Sequence, residues 1–128
     1  MSVTSTFYTV DVGQAAQWLT ANQRLYWRRK AERTKAWREA TAWRARHARI
    51  PRLDRALIVC ELRFAVRRRR DPANWAPTAK ACVDGLVDAG VFDDDDATRV
   101  QGPDMRLGDP GVAGLRLLIY PTALGDSR

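Results

Sequence analysis

Four consecutive aspartates, Asp93, Asp94, Asp95 and Asp96, stand in a chain whose formal net charge is +7. Like charges at short range repel, so a run of acids in a basic protein asks for a positive partner, and a divalent cation is the simplest one. Upstream, the arginine run Arg67, Arg68, Arg69 and Arg70 ends abruptly in Asp71. Between the two runs lies Lys80, with Asp84 and Asp88 following at i, i+4 spacing. Carboxylates are the hard oxygen donors that Mg²⁺ takes, and two or three suffice because the ion keeps several waters. A metal held this way activates water and neutralises charge on a phosphate. An adjacent ammonium, Lys80, stabilises the negative charge that develops in the transition state. Arginines for a polyanion and carboxylates for a metal together suit hydrolysis of a phosphodiester. The plainer readings are that the acid run is a solvated surface and that Lys80 and Asp84 form a surface ion pair worth at most about 0.5 kcal/mol.

Charge is divided unevenly along the 128 residues. Residues 1–70 hold 17 Lys/Arg against 5 Asp/Glu, and residues 71–128 hold 5 against 10. A basic surface from the first half and an acidic site from the second is the expectation, with nucleic acid as the partner. An anionic membrane is disfavoured because the basic helix lacks a broad Leu/Phe face, and no apolar stretch approaches the length of a membrane span. The first residues lack a charged start followed by an apolar run, so no secretory signal is expected. Cys60 and Cys82 lack CxxC spacing and read as reduced, buried thiols of a cytoplasmic protein. His47 is the only histidine, which makes a histidine-based metal site or a Ser-His-Asp triad improbable within one chain.

The elements that must position these residues follow from pattern. Residues 6–12 read as a strand, and residues 14–24 as a short helical turn and a loop, with Asn22 marking a turn. A long helix is expected over Leu25–Arg49, stopped by Pro51. Residues 56–66 are the strongest strand, with Glu61 and Arg63 alternating against buried Cys60, Leu62 and Phe64. A second helix is expected over Pro77–Asp88, with Ala79, Cys82, Val83 and Leu86 on its apolar face and Gly90 beyond its end. Residues 101–111, containing Gly102-Pro103 and Asp109-Pro110-Gly111, read as a loop. Residues 113–120 read as a closing strand, and a tail over 121–128 as frayed. The fold class is α+β: one domain over 1–128, a small mixed sheet packed with two main helices. The tryptophans of the long helix, Trp27, Trp37 and Trp43, read as core anchors rather than as platforms for bases.

The stretch Arg70-Asp71-Pro72-Ala73-Asn74, followed by Lys80-Ala81-Cys82-Val83-Asp84-Gly85-Leu86-Val87-Asp88-Ala89-Gly90-Val91-Phe92-Asp93-Asp94-Asp95, resembles the RusA-type Holliday junction resolvases. That family's pattern is Asp-x-Asp-Asn, a helix with Lys-Ala-x-x-Asp-x-Leu-x-x-Ala-Gly, and a paired Asp-Asp. Asn22-Gln23-Arg24-Leu25-Tyr26-Trp27-Arg28 is a looser match to its early Asn-aromatic-Arg element. The resemblance implies a homodimeric, Mg²⁺-dependent endonuclease, Mn²⁺ substituting, that cuts four-way DNA junctions in recombination and repair. It also implies a phage or prophage origin and a bacterial cytoplasm. Asp71, Lys80 and Asp95 are its implied catalytic residues, and Asp71, Asp94 and Asp95 its metal ligands. Arg28, Arg29, Lys30, Arg33, Arg67, Arg68, Arg69, Arg70 and Asn74 are the expected DNA contacts. Trp18, Trp27, Trp37 and Trp43 then become candidate dimer anchors.

Two departures stand out. Ala73 occupies the place of the second motif aspartate, and the stretch from Asn74 to Lys80 is longer than the pattern. Ala73 keeps open a protein that binds junctions or other structured DNA without cutting. A third reading is an interaction protein whose basic helix contacts RNA or a ribonucleoprotein.

Overall fold

The computed structural model describes residues 6–122. Its elements are β1 (Tyr8–Gly13), α1 (Trp27–His47), β2 (Ala56–Arg63), α2 (Ala76–Asp88), β3 (Val100–Leu107) and β4 (Gly114–Pro121), with a short 3₁₀ turn, Pro72–Trp75, leading into α2. The four strands form one sheet in the order β1-β4-β2-β3. β4 runs antiparallel to both β1 and β2, while β3 runs parallel to β2. The architecture is therefore α+β, a mixed sheet with two helices.

Alternation puts Ala56, Ile58, Cys60 and Leu62 of β2 on one face with Leu115, Leu117 and Ile119 of β4, all at or near zero exposure. On α2, Ala79, Cys82, Val83 and Leu86 make the matching apolar stripe. The stripe of α1 is narrower: Trp37, Thr41, Ala42 and Ala45 are buried, and most of the rest of that helix faces solvent. Its Ala, Arg, Lys and Glu content favours a helix without needing a wide apolar face.

The helices approach most closely at Gly85. A Cβ there would collide with the Arg38 carbonyl oxygen and lie 2.9 Å from Thr41 Cβ. Backbone cannot swing aside as a long side chain can, so Gly85→Ala should destabilise the protein by about 1–3 kcal/mol, the range for overpacking. Thermal denaturation should show the drop, and an unchanged melting temperature would mean that the crossing is looser than this.

The expected loop over 101–111 is largely strand. β3 occupies Val100–Leu107, and only the segment after it loops. Gly102-Pro103 is absorbed as an irregularity: the pairing register slips between Leu57↔Gln101 and Val59↔Asp104. Gly102 has φ +98, and a Cβ there would strike the Ile58 carbonyl. Proline lacks a ladder donor and is confined to edge strands or bulges; β3 is an edge strand, so the dipeptide that reads as a breaker is tolerated. The short helical turn expected within 14–24 does not form. The segment is a loop with a turn at Ala21-Asn22. Buried Thr78 holds it: its hydroxyl accepts from Leu19 N (2.9 Å) and donates to Leu19 O (2.7 Å). β2 ends at Arg63, so Phe64 leaves the sheet. Pro121 closes β4, while residues 123–128 of the expected frayed tail lie outside the described residues.

Two of the four tryptophans expected as dimer anchors are committed internally. Trp37 is fully buried, and its indole N–H donates to Gln17 O at 3.0 Å. Trp18 stacks on Trp37 with ring centroids 5.1 Å apart and touches Phe64. Only Trp27 and Trp43 are exposed. Cys60 and Cys82 are free and buried. Burial pushes the Cys82 thiol up to about 12, partly opposed by a hydrogen bond with Thr41, and pushes Cys60 up as well. Neither is poised as a nucleophile.

Candidate active site

The aspartate run follows α2, where Gly90 adopts φ +83 and turns the chain back. Val91 and Phe92 plug into the core at 1% exposure, which fixes where the acids emerge. The four aspartates then go to four different tasks. Asp93 pairs with Arg52 and lies 3.7 Å from Arg99. Asp94 accepts from the Asp95 backbone N–H at 2.7 Å. Asp95 accepts from the Lys80 ammonium. Asp96 accepts from the Thr98 hydroxyl and from Thr98 N at 2.9 Å, closing the turn that leads into β3.

Lys80 therefore sits between two carboxylates. It bonds Asp84 one turn along α2 at 3.0 Å, and Asp95 from the returning loop. The bond to Asp95, then that to Asp84, raises the Lys80 pKa above its ordinary 10.5. The hydrogen bond from Lys80, then that with Asp84, lowers the Asp95 pKa below 3.8. The signs give the window. The lowered Asp95 contributes stability that is lost as pH falls through its folded pKa, and the raised Lys80 contributes stability that is lost as pH rises through its own. Between the ordinary values of 3.8 and 10.5 both groups stay charged. Lys80 is thus a cation at neutral pH in this arrangement.

Arg38, which sequence spacing did not single out, borders this site. It holds Asp88 with two bonds of 2.5 and 2.8 Å. Its pKa is raised by that hydrogen bond first, then by the Asp88 charge, with smaller contributions from the charges of Asp84 and Asp95. Arg46 donates to the Asp88 carbonyl at 2.8 Å. Nothing in the local pattern pairs residues of α1 with residues of α2; the crossing at Gly85 does.

Asp71 stands at the entry to the 3₁₀ turn, where its carboxylate accepts from Ala73 N at 3.1 Å. It makes no bond with Lys80, Asp94 or Asp95, and among the described residues no three acidic, histidine or cysteine side chains converge to hold a metal. Asn74 contributes backbone contacts, donating to Asp71 O (3.0 Å) and accepting from Ala21 N (2.8 Å). Arg70 lies over the Phe64 ring, 4.0 Å from its centroid, and donates to Val66 O at 3.0 Å. An aromatic row, Trp37-Trp18-Phe64-Trp75, thus reaches from the core to the Asp71 loop.

Of the expected DNA contacts, Arg28, Arg29, Lys30, Arg67, Arg68 and Arg69 are exposed. Arg67, Arg68 and Arg70 line a cleft of about 140 Å³ with the β3–β4 loop. Arg33 is instead half-buried, its guanidinium donating to Trp18 O at 3.2 Å, so part of its donor capacity holds the fold. No protein-family model matches this chain, and no curated protein matches it. Among the described residues no helix is long and apolar enough to cross a membrane.

Proposed function

We propose that this protein is a Mg²⁺-dependent endonuclease of branched DNA, with four-way junctions as substrate, as the RusA-type resemblance implies. One observation carries the reading. Lys80 of α2 and Asp95 of the following loop, distant by 15 positions, are bonded to one another beside Asp84 and Asp94, and Lys80 and Asp95 are two of the three residues that the resemblance implies as catalytic. The exposed cations Arg28, Arg29, Lys30, Arg67, Arg68 and Arg69 offer phosphate contacts, which position a duplex without reading its sequence.

Carboxylates are donors of the type a hard cation takes. Here, however, Asp84 and Asp95 converge on the Lys80 ammonium and Asp71 stands apart from them, so metal binding would require these side chains to rearrange. Asp94 and Asp95, with Asp71, would hold Mg²⁺, and Mn²⁺ would substitute. Bound metal supplies a water of lowered pKa and neutralises phosphate charge. Lys80, a cation at neutral pH, would balance negative charge growing on the phosphate oxygens. Resolving a junction takes one cut on each of two opposed strands, so the working unit is a C₂ homodimer, in keeping with the commonest oligomer symmetry. Phe7 and Leu57, exposed near Tyr120 on the helix-free face of the sheet, offer apolar surface to the second copy. Bacterial cytoplasm, through a phage or prophage gene, is the setting that the resemblance implies.

A binder of structured DNA that does not cut is the second reading. It draws on Asp71, which spends its carboxylate on the Ala73 N–H, and on Ala73 itself, where the motif has an acid.

The deciding experiment incubates purified protein with a synthetic four-way junction, with and without Mg²⁺. Paired nicks near the branch, only with metal and not in linear duplex, are expected. Binding without nicking in either Mg²⁺ or Mn²⁺ would select the second reading, and absence of binding at low salt would remove nucleic acid altogether.

A further inference from the structure

Trp27 opens α1 and is 64% exposed. Tyr26, itself 63% exposed, tilts against it with ring centroids 5.8 Å apart, and the Arg28 guanidinium lies 5.1 Å from the Trp27 ring centroid. A shallow, open groove runs from this ring along one face of the helix, lined by Trp27, Lys30, Ala31, Thr34, Lys35 and Arg38. Its apolar part is the indole and Ala31, three cations surround it, and no carboxylate lines it. Trp43, the other exposed tryptophan of α1, is already stacked on His47, with centroids 5.0 Å apart and planes at 6°.

A flat π surface flanked by ammonium and guanidinium groups is complementary to a nucleotide: the base stacks on the ring while the phosphates meet the cations. A lipid surface would need a broad apolar face, and the apolar stripe of α1 is turned inward. An acidic peptide would engage the lysines and leave the indole unused. We infer that the Trp27 groove holds an unpaired nucleotide of single-stranded DNA, with its base on Trp27 and its backbone along Lys30 and Lys35. The groove ends at Arg38, which is bonded to Asp88 beside the Lys80–Asp95 pair. Trp27 and Arg38 are about 16 Å apart along the helix axis, so a strand anchored at the ring is led toward those side chains. The inference rests on the nucleic-acid reading of that site and adds what the branch must offer it, a nucleotide free to leave its stack.

The test measures fluorescence anisotropy of a labelled short oligo(dT), and separately of a linear duplex, with the full chain and its Trp27→Ala, Trp27→Phe and Trp43→Ala variants. Stacking on an aromatic side chain is worth about 1–3 kcal/mol per base, so Trp27→Ala should weaken oligo(dT) binding by roughly 5- to 150-fold. Trp27→Phe should recover most of that affinity, and Trp43→Ala and the duplex should show no comparable loss. Equal losses for Trp27→Ala and Trp43→Ala, or equal losses on oligo(dT) and duplex, would overturn the inference. A wild-type protein that binds duplex but not oligo(dT) overturns it while leaving the proposed function standing; one that binds neither overturns both. A Trp27→Ala chain with unchanged oligo(dT) affinity but a smaller sedimenting mass would assign the groove to a second copy of the protein instead.

Discussion

Asp95→Asn is expected to lower the rate of junction nicking by about 10²–10³-fold while leaving junction affinity intact or slightly higher. The carboxylate charge contributes several kcal/mol when it helps to hold a metal at a phosphate, and each 1.36 kcal/mol is tenfold in rate. Affinity survives because the basic surface is untouched and the net charge rises by one. The fold survives because Lys80 keeps its 3.0 Å bond to Asp84, and an exposed ion pair is worth about 1 kcal/mol or less. Asp93→Asn is the informative control. Asp93 is bound by Arg52 and Arg99, so its loss should leave the rate near that of wild type. Gel assays of nicking and of binding on the same junction separate these outcomes. An Asp95→Asn protein that cuts at the wild-type rate would show that the run's chemistry lies elsewhere.

Lys80→Ala should reduce cleavage by about 10²–10³-fold, the loss typical of removing one preorganised stabiliser of transition-state charge, while the melting temperature moves by only a few degrees. The side chain is 61% exposed, so little packing is removed. A second readout concerns pH. Because Asp95 and Asp84 raise the Lys80 pKa above its ordinary value in the metal-free protein, no decline in rate from Lys80 deprotonation is expected across the neutral range. Lys80→Arg keeps the charge but not the shape of the donor, and partial activity there would support an electrostatic role. If stability and activity fall together in Lys80→Ala, the lysine is a structural clasp between α2 and the aspartate loop.

Much of the architecture was legible because it depends on short-range pattern. Period-two alternation located β2, and period-3.6 spacing of Ala79, Cys82, Val83 and Leu86 located α2 with its inward face. The i, i+4 relation of Lys80 to Asp84 follows from helix geometry alone. Turn chemistry was less dependable. Gly102-Pro103 reads as a break in any local window, yet it lies inside β3, where a parallel neighbour and an edge position accommodate an irregular ladder. The tryptophans of α1 illustrate the same limit. Trp27, Trp37 and Trp43 share a helix, and only packing against Trp18 and the Gln17 carbonyl distinguishes the buried one from the two exposed ones.

By itself the sequence determined the residue types available for chemistry: a basic first half, an acidic second half, one lysine on a helix followed by four aspartates, and no histidine set to rival them. Those are properties of composition and of spacing along one element, and they need no fold to be read. Only the tertiary structure decided how the four aspartates divide. Asp93 goes to Arg52 and Arg99, Asp95 to Lys80, and Asp96 to the turn before β3. It also brought Arg38 to Asp88 through the Gly85 crossing and left Asp71 apart, capping its own turn. The physical reason is that adjacent residues of a loop point in different directions and meet partners from distant parts of the chain. Which cation faces which carboxylate is therefore fixed by how α1, α2 and the sheet pack, a relation that no window of neighbouring residues contains.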